Sequence, residues 1–254
     1  MASNPETVTS TSCSPAEWQA RCDLAALHRL YVHFGWTDLI YTHLTARVPD
    51  APTQYLIKPD LLLMDEVCAS DLVKMDLDGT LIEGDAPPNE AGRLIHSAVL
   101  EARPDIQFTA HTHSRAGAAV SCMACGLLPL SQHANVILPT VTYHDYQDVT
   151  SAEDECAALA RDIGPHFAML MRTHGILTVG RSVAECFYYL YYLEMACKIQ
   201  VDVLASGKEP VLLSDEMVQG LFSDGDVPSQ QPGGIRVWEP LMRMLERKGE
   251  DYRR

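Results

Sequence analysis

The sequence predicts an α/β fold, on three observations. At 254 residues, with 47% hydrophobic and 21% charged side chains, the chain is long and apolar enough to bury one large core, or two small ones. Apolar residues recur at helical spacing in Ser14 to Phe34, Asn89 to Arg103 and Ser182 to Ala205. Between these stretches lie short apolar runs bounded by Pro, Gly and Asp, with the length and composition of strands.

Taken in order, residues 1–13 read as a disordered N-terminus. Ser14-Pro-Ala-Glu17 then supplies a capping box with proline at the first helical position, and Trp18, Cys22, Ala25, Ala26 and Leu30 carry the stripe to about Phe34. Asp38–Val48 and Gln54–Lys58 fit strands, joined by a turn at Pro49–Pro52. Residues 70–82 read as two further strands around Asp78-Gly79. Asn89–Arg103 is a helix ended by Pro104, Ile106–Ala110 a short strand, and Ser114–Gly126 a small-residue helix suited to close packing on a sheet. Phe167–Arg172 and Ile176–Val179 read as buried strands, Ser182 caps a helix to about Ala205, and Ile235–Arg247 is again helical. The aromatic run at 187–192 covers more than one helix face, which suits core plus a subunit interface. No repeat or linker divides the chain. It reads as one domain over 14–206, with a C-terminal extension over 207–254 packing on the domain or on a neighbouring subunit.

Nineteen Lys and Arg against 34 Asp and Glu give a net charge of −15, which repels phosphate backbones and anionic lipid, so neither nucleic acid nor membrane is an expected partner. The eight cysteines are scattered and read as reduced thiols; the one close pair, Cys122-x-x-Cys125, has no second pair to complete a zinc knuckle. The first fifteen residues lack a basic start followed by an apolar core, and no stretch is long enough to span a bilayer, so a cytoplasmic location is expected.

The residues richest in chemistry are His111 and His113. In an extended segment a His-x-His spacing turns both imidazoles to one face, a ready chelate for a metal. Alone, the pair is equally compatible with surface or core histidines. His96, beside the helical stripe of 89–103, reads as a core or capping histidine.

Several further motifs stand in a fixed order after the pair: Thr173-His174-Gly175-Ile-Leu on a strand, then Gly180-Arg-Ser-Val-Ala-Glu185 opening a long helix. Together they resemble the class II aldolase/adducin family over roughly residues 16–206. Ala91-Gly92, Ile95-His96-Ser97-Ala98, Ala102-Arg103-Pro104-Asp105, Ala116–Ser121, Gly126-Leu-Leu-Pro129, Tyr143-His-Asp-Tyr146 and Ala196-Cys-Lys-Ile-Gln200 are most similar to its adducin-head branch. The resemblance implies a three-layer α/β/α sandwich around a mixed, largely antiparallel central sheet, a homo-oligomer (tetramer) with sites between subunits, and a divalent metal held by His111, His113 and His174. Zinc is the expected metal, with Fe(II) or Mn(II) as alternatives.

The departures from the family narrow the chemistry. Its phosphate-binding turns correspond here to Thr42–Arg47, Lys58-Pro59-Asp60-Leu61 and Glu90-Ala91-Gly92, and the glycines and serines that let backbone N–H groups cradle a phosphate are mostly gone. The family's catalytic glutamate falls at Gly92. Glu90 lies two residues earlier, about 200° round a helix, and substitutes only if this segment is not yet helical. His133, in Ser131-Gln132-His133, stands roughly where the aldolases place a catalytic tyrosine, and Tyr143 and His144 fall in the next loop that faces the metal in the family. These are the candidate proton-transfer groups. Arg115, directly after the chelate, is a candidate for a substrate carboxylate, and His43 and Glu90 complete the substrate-binding candidates.

The expected function is therefore a metal-dependent lyase, of aldolase or decarboxylase type, acting on a small non-phosphorylated 2-oxo or 2-hydroxy acid. Two alternatives stand beside it: a non-haem Fe(II) oxygenase of aromatic 2-oxo acids, and a non-enzymatic adducin-like binding or scaffold protein.

Overall fold

A computed structural model of the chain describes residues 8–145, 152–223 and 234–254. Residues 1–7 of the segment expected to be disordered lie outside the described residues, as does Tyr146; Thr9–Ser12 forms a turn closed by the Ser12 N–H donating to the Thr9 carbonyl at 3.0 Å. Helix α1 (Pro15–Phe34) starts as expected, with the Ser14 hydroxyl accepting from the Glu17 N–H at 3.1 Å. Glu17 turns away from the expected capping box: its carboxylate is taken by Arg21 and Lys74, each at 2.9 Å.

The strands are β1 (His43–Val48), β2 (Ala51–Ile57), β3 (Val73–Asp76), β4 (Leu81–Glu83), β5 (Phe108–Thr112), β6 (Val141–His144), β7 (Ala168–Met171) and β8 (Gly175–Gly180). The further helices are α2 (Glu90–Ala102), α3 (Arg115–Ser121), α4 (Gln132–Ile137), α5 (Ala152–Ile163), α6 (Val183–Ala205), α7 (Asp215–Ser223) and α8 (Ile235–Arg247). Several boundaries differ from expectation: β2 already starts at Ala51, inside the expected turn, and β3 starts at Val73 after a 3-10 turn at Ala69–Asp71. The first strand begins at His43, not Asp38, because Leu39 has a left-handed φ of 49° and, with Tyr41, faces solvent. The helix expected to reach Gly126 stops at Ser121, and Tyr143 and His144 lie in β6, not in a loop.

The eight strands form one sheet in the order β4-β3-β2-β1-β5-β8-β7-β6, antiparallel throughout except for the β6–β7 pair. Helices α2 and α5 pack on each other and cover one face; α1, α3 and α6 cover the other. The two faces are set by the period of two along β5: His111 points to the α2 layer, whereas Thr112 points away and donates its hydroxyl to the Trp36 carbonyl beyond α1 at 2.5 Å. The fold is thus the expected α/β/α sandwich around a mixed, largely antiparallel sheet. Of the C-terminal extension, α8 packs on α6 and α1, and the chain end is tied to this same domain by the Ala69 and Ser70 N–H groups donating to the Tyr252 and Arg254 carbonyls at 2.9 Å.

Two core histidines make the fold acid-sensitive. His28 is fully buried, its Nδ1–H donating to the Leu24 carbonyl at 2.7 Å and its Nε2 without a partner among the described residues. Burial pushes the pKa of His28, and likewise of His96, down to about 3. The unfolded state therefore binds more protons than the folded state below about 6.5, and stability falls as pH drops from there towards 3. Between pH 7 and 5 the expected loss is about 2 kcal/mol for each histidine. In urea unfolding, His28→Leu is expected to remove one histidine's share of that pH dependence; an unchanged pH slope would show that His28 is not the acid-sensitive group.

Candidate metal centre

Strand β5 ends at Thr112, and the extended course continues one residue further, so His111 and His113 project on the α2 side. The third imidazole comes from the hairpin β7–β8, whose turn is Arg172-Thr173-His174. Thr173 takes a left-handed φ of 56°, costly for a β-branched residue, and that kink sets the direction in which His174 leaves the sheet. Gly175 closes the approach: a Cβ there would lie 2.5 Å from the Thr112 carbonyl oxygen, so only glycine lets β8 lie this close to the end of β5.

The result is a convergence of three Nε2 atoms. His113 Nε2 lies 2.9 Å from His111 Nε2 and 3.0 Å from His174 Nε2. The tautomers of two rings are fixed by their partners. His111 Nδ1–H donates to the Ile176 carbonyl at 3.0 Å, and His113 Nδ1–H donates to the Asp38 carboxylate at 2.9 Å. Both Nε2 atoms then carry lone pairs that face each other with no proton between them. Protonation does not relieve this at His111: burial first, then the neighbouring histidines, holds it well below its ordinary value, and burial pushes His174 down to about 4. Three neutral imidazoles with inward lone pairs fit a divalent cation. Tetrahedral coordination at about 2.0–2.1 Å needs the nitrogens roughly 3.3 Å apart, an opening of a few tenths of an ångström. His111 is buried and the other two are half-buried, so the cluster is open on one side.

Behind His111 lies a second group of imidazoles. His43, opposite His111 in the β1–β5 pairing, stacks on it with centroids 4.9 Å apart and planes 24° from parallel. His43 Nδ1 meets His96 Nε2 at 3.1 Å, and His96 Nδ1 meets the Thr45 hydroxyl at 2.8 Å. Asp38 and this buried pair were not legible as site residues in the sequence, apart from His43 as a substrate-binding candidate; the structure places His43 behind His111, with 4% of its surface exposed.

Of the other candidates, His144 lies near enough to His174 to help hold its pKa down. Glu90 is the first residue of α2, so the unwound segment it needed to replace the missing glutamate is absent; its exposed carboxylate pairs with Arg93 at 2.6 Å, which holds it below the usual carboxylate range. His144 is buried between Glu155 (3.0 Å) and Asp162 (2.8 Å), both ring nitrogens engaged. The Tyr143 hydroxyl accepts from the Leu127 N–H at 3.0 Å, and the Arg172 guanidinium lies over its ring at 4.4 Å. His133 packs on Tyr192 of α6, centroids 5.4 Å apart, with no hydrogen-bond partner among the described residues. Arg115 opens α3 and is exposed, with no ion-pair partner among the described residues.

Fold and site together define an α/β/α domain with a three-imidazole cluster suited to a metal at the rim of its sheet. Residues 22–201 match the Class II Aldolase and Adducin N-terminal domain, and the chain belongs to that family. A Caulobacter vibrioides protein, whose name assigns it provisionally to aldolase class 2, is 42% identical over 243 residues, 94% of this chain and 93% of its own length. Alpha-adducin of Mus musculus is 42% identical over 244 residues, covering 90% of this chain but 33% of alpha-adducin, so the chain spans about a third of that protein. The crystal structure of an aldolase II superfamily protein from Pseudomonas syringae superposes with a TM-score of 0.91 at 42% identity, over 96% of this chain and 98% of the other. No helix among the described residues is long and apolar enough to cross a membrane.

Proposed function

We propose that the chain is a metal-dependent lyase, of aldolase or decarboxylase type, whose His111, His113 and His174 hold a divalent metal, zinc first among the candidates. The convergence of three Nε2 lone pairs, two of them fixed in tautomer by Ile176 and Asp38, carries this reading. When bound, such a metal with open positions supplies a Lewis acid for a substrate carbonyl and for the negative charge that develops there. The proposed substrate is a non-phosphorylated 2-oxo or 2-hydroxy acid, taken up by a homo-oligomer. Arg115, exposed and with no ion-pair partner among the described residues, is the proposed partner of its carboxylate. At the turn where family enzymes cradle phosphate, Lys58 and Asp60 stand side by side and Asp60 Oδ1 is buried without a donor among the described residues, which disfavours a dianion. Of the three proton-transfer candidates, His133 has no hydrogen-bond partner among the described residues, whereas His144 would first have to break a carboxylate hydrogen bond.

The 42% identity with alpha-adducin favours a second reading, a non-enzymatic binding or scaffold protein. Protein purified without oxygen separates the two. The expected result is one divalent metal per chain, with chelator-sensitive cleavage or decarboxylation of a non-phosphorylated 2-oxo or 2-hydroxy acid and no turnover of sugar phosphates. Iron with oxygen uptake on arylpyruvates would move the protein to the oxygenases, and no metal with no turnover would leave the binding role.

A further inference from the structure

We propose that His43 is a positioning residue that keeps the metal centre at three protein ligands, by filling the space through which a side chain at position 92 would reach it. The proposal rests on the metal centre described above and goes beyond it by naming what closes one approach to that centre.

Gly92 and His96 lie one turn apart on α2, on the face turned to β1. A Cβ at position 92 would lie 2.8 Å from both Cγ and Cδ2 of His43 and 3.3 Å from its Cβ. The obstacle is the root of the side chain and the near edge of its ring, not a flexible tip. The ring has no room to yield: His96 holds Nδ1 at 3.1 Å on one side, and His111 stacks on it at 4.9 Å on the other. His43 itself is buried, and it sits directly opposite His111 in the strand pairing. The one imidazole of His43 therefore borders both the space at residue 92 and the ring of His111. Any side chain longer than hydrogen at 92 must displace His43, and a carboxylate borne there would be aimed at the centre. Gly92 and His43 are thus one unit: the missing side chain of the first is the volume of the second. Such an arrangement leaves coordination positions to substrate and water that a fourth protein ligand would otherwise take.

Two measurements test this. In the first, metal-stripped wild type, Gly92→Glu, His43→Ala and the double variant His43→Ala/Gly92→Glu are titrated with Co(II), following the visible absorption bands that report coordination. The double variant is expected to bind Co(II) roughly ten- to a hundredfold more tightly than wild type, with altered bands, because the carboxylate gains its path. Gly92→Glu alone is expected to gain nothing. Tightening by Gly92→Glu alone equal to that of the double variant would overturn the proposal, as would a double variant with wild-type affinity and bands. If wild type itself binds no Co(II), the metal centre fails instead, and the second measurement still decides the pairing. In metal-free protein, Gly92→Ala is expected to lower the melting temperature by about 5 °C when His43 is present and by about 1 °C or less in the His43→Ala background. Equal losses in the two backgrounds would show that His43 is not what excludes a side chain at 92.

Discussion

His174→Ala is expected to weaken divalent-metal binding by roughly 10²–10⁴-fold while leaving the domain folded. Metal affinities of small protein sites correspond to about 10–16 kcal/mol, so losing one of three protein donors removes on the order of 3–5 kcal/mol. The fold should tolerate the change because His174 is half-buried at the tip of a three-residue turn, where the backbone strain belongs to Thr173 and the close approach to Gly175. The matching substitution at His111 is a poorer probe. That ring is fully buried, donates to the Ile176 carbonyl and supports the stack with His43, so its removal opens a cavity as well as a coordination position. A competition titration against a chromophoric chelator reads the affinity, and thermal melting of the metal-free protein reads the fold. Unchanged metal binding in His174→Ala would show that the hairpin is not part of the centre.

Asp38→Ala is expected to weaken metal binding by about 10–100-fold with little effect on stability. Its carboxylate accepts the Nδ1–H of His113 at 2.9 Å, and in doing so fixes both the tautomer and the plane of the ring while raising the basicity of Nε2. Without it His113 is free to place its proton on Nε2, which cannot then coordinate. The Asp38 side chain is 44% exposed, so its loss leaves no buried cavity. Asp38→Asn keeps an acceptor for the Nδ1–H and is expected to lose less than Asp38→Ala. Equal affinities for all three proteins, in the same titration, would remove Asp38 from the centre.

These two residues also mark the boundary of what the sequence discloses. The chelate pair follows from the period of two along a strand, and the long helices follow from capping and stripes: Ser14 with Pro15, Asn89, Ser182 and the 235–247 segment all appear where expected. The third proposed ligand follows from motif order, since nothing local at His174 distinguishes it from a surface histidine. Asp38 lies 75 residues from His113 in the chain, in a loop whose apolar neighbours Leu39 and Tyr41 imitate a strand. It reaches the centre only because the sheet places β1 beside β5. The Gly92–His43–His96 group depends on the same juxtaposition, with α2 laid over those two strands. The region from 132 to 144 was the least legible: α4 and β6 are six and four residues long, too short for periodicity to show, and β6 is an edge strand paired on one side.

The central claim, a metal bound by three Nε2 atoms, is met most directly by anomalous scattering from crystals of the protein purified without added chelator. The expected map shows a single strong peak about 2.0–2.1 Å from Nε2 of each of His111, His113 and His174, with the Nδ1 atoms of the first two still on Ile176 and Asp38. A map with no peak among the three imidazoles after soaking in zinc, or with its peak at another group such as Cys122 and Cys125, would contradict it.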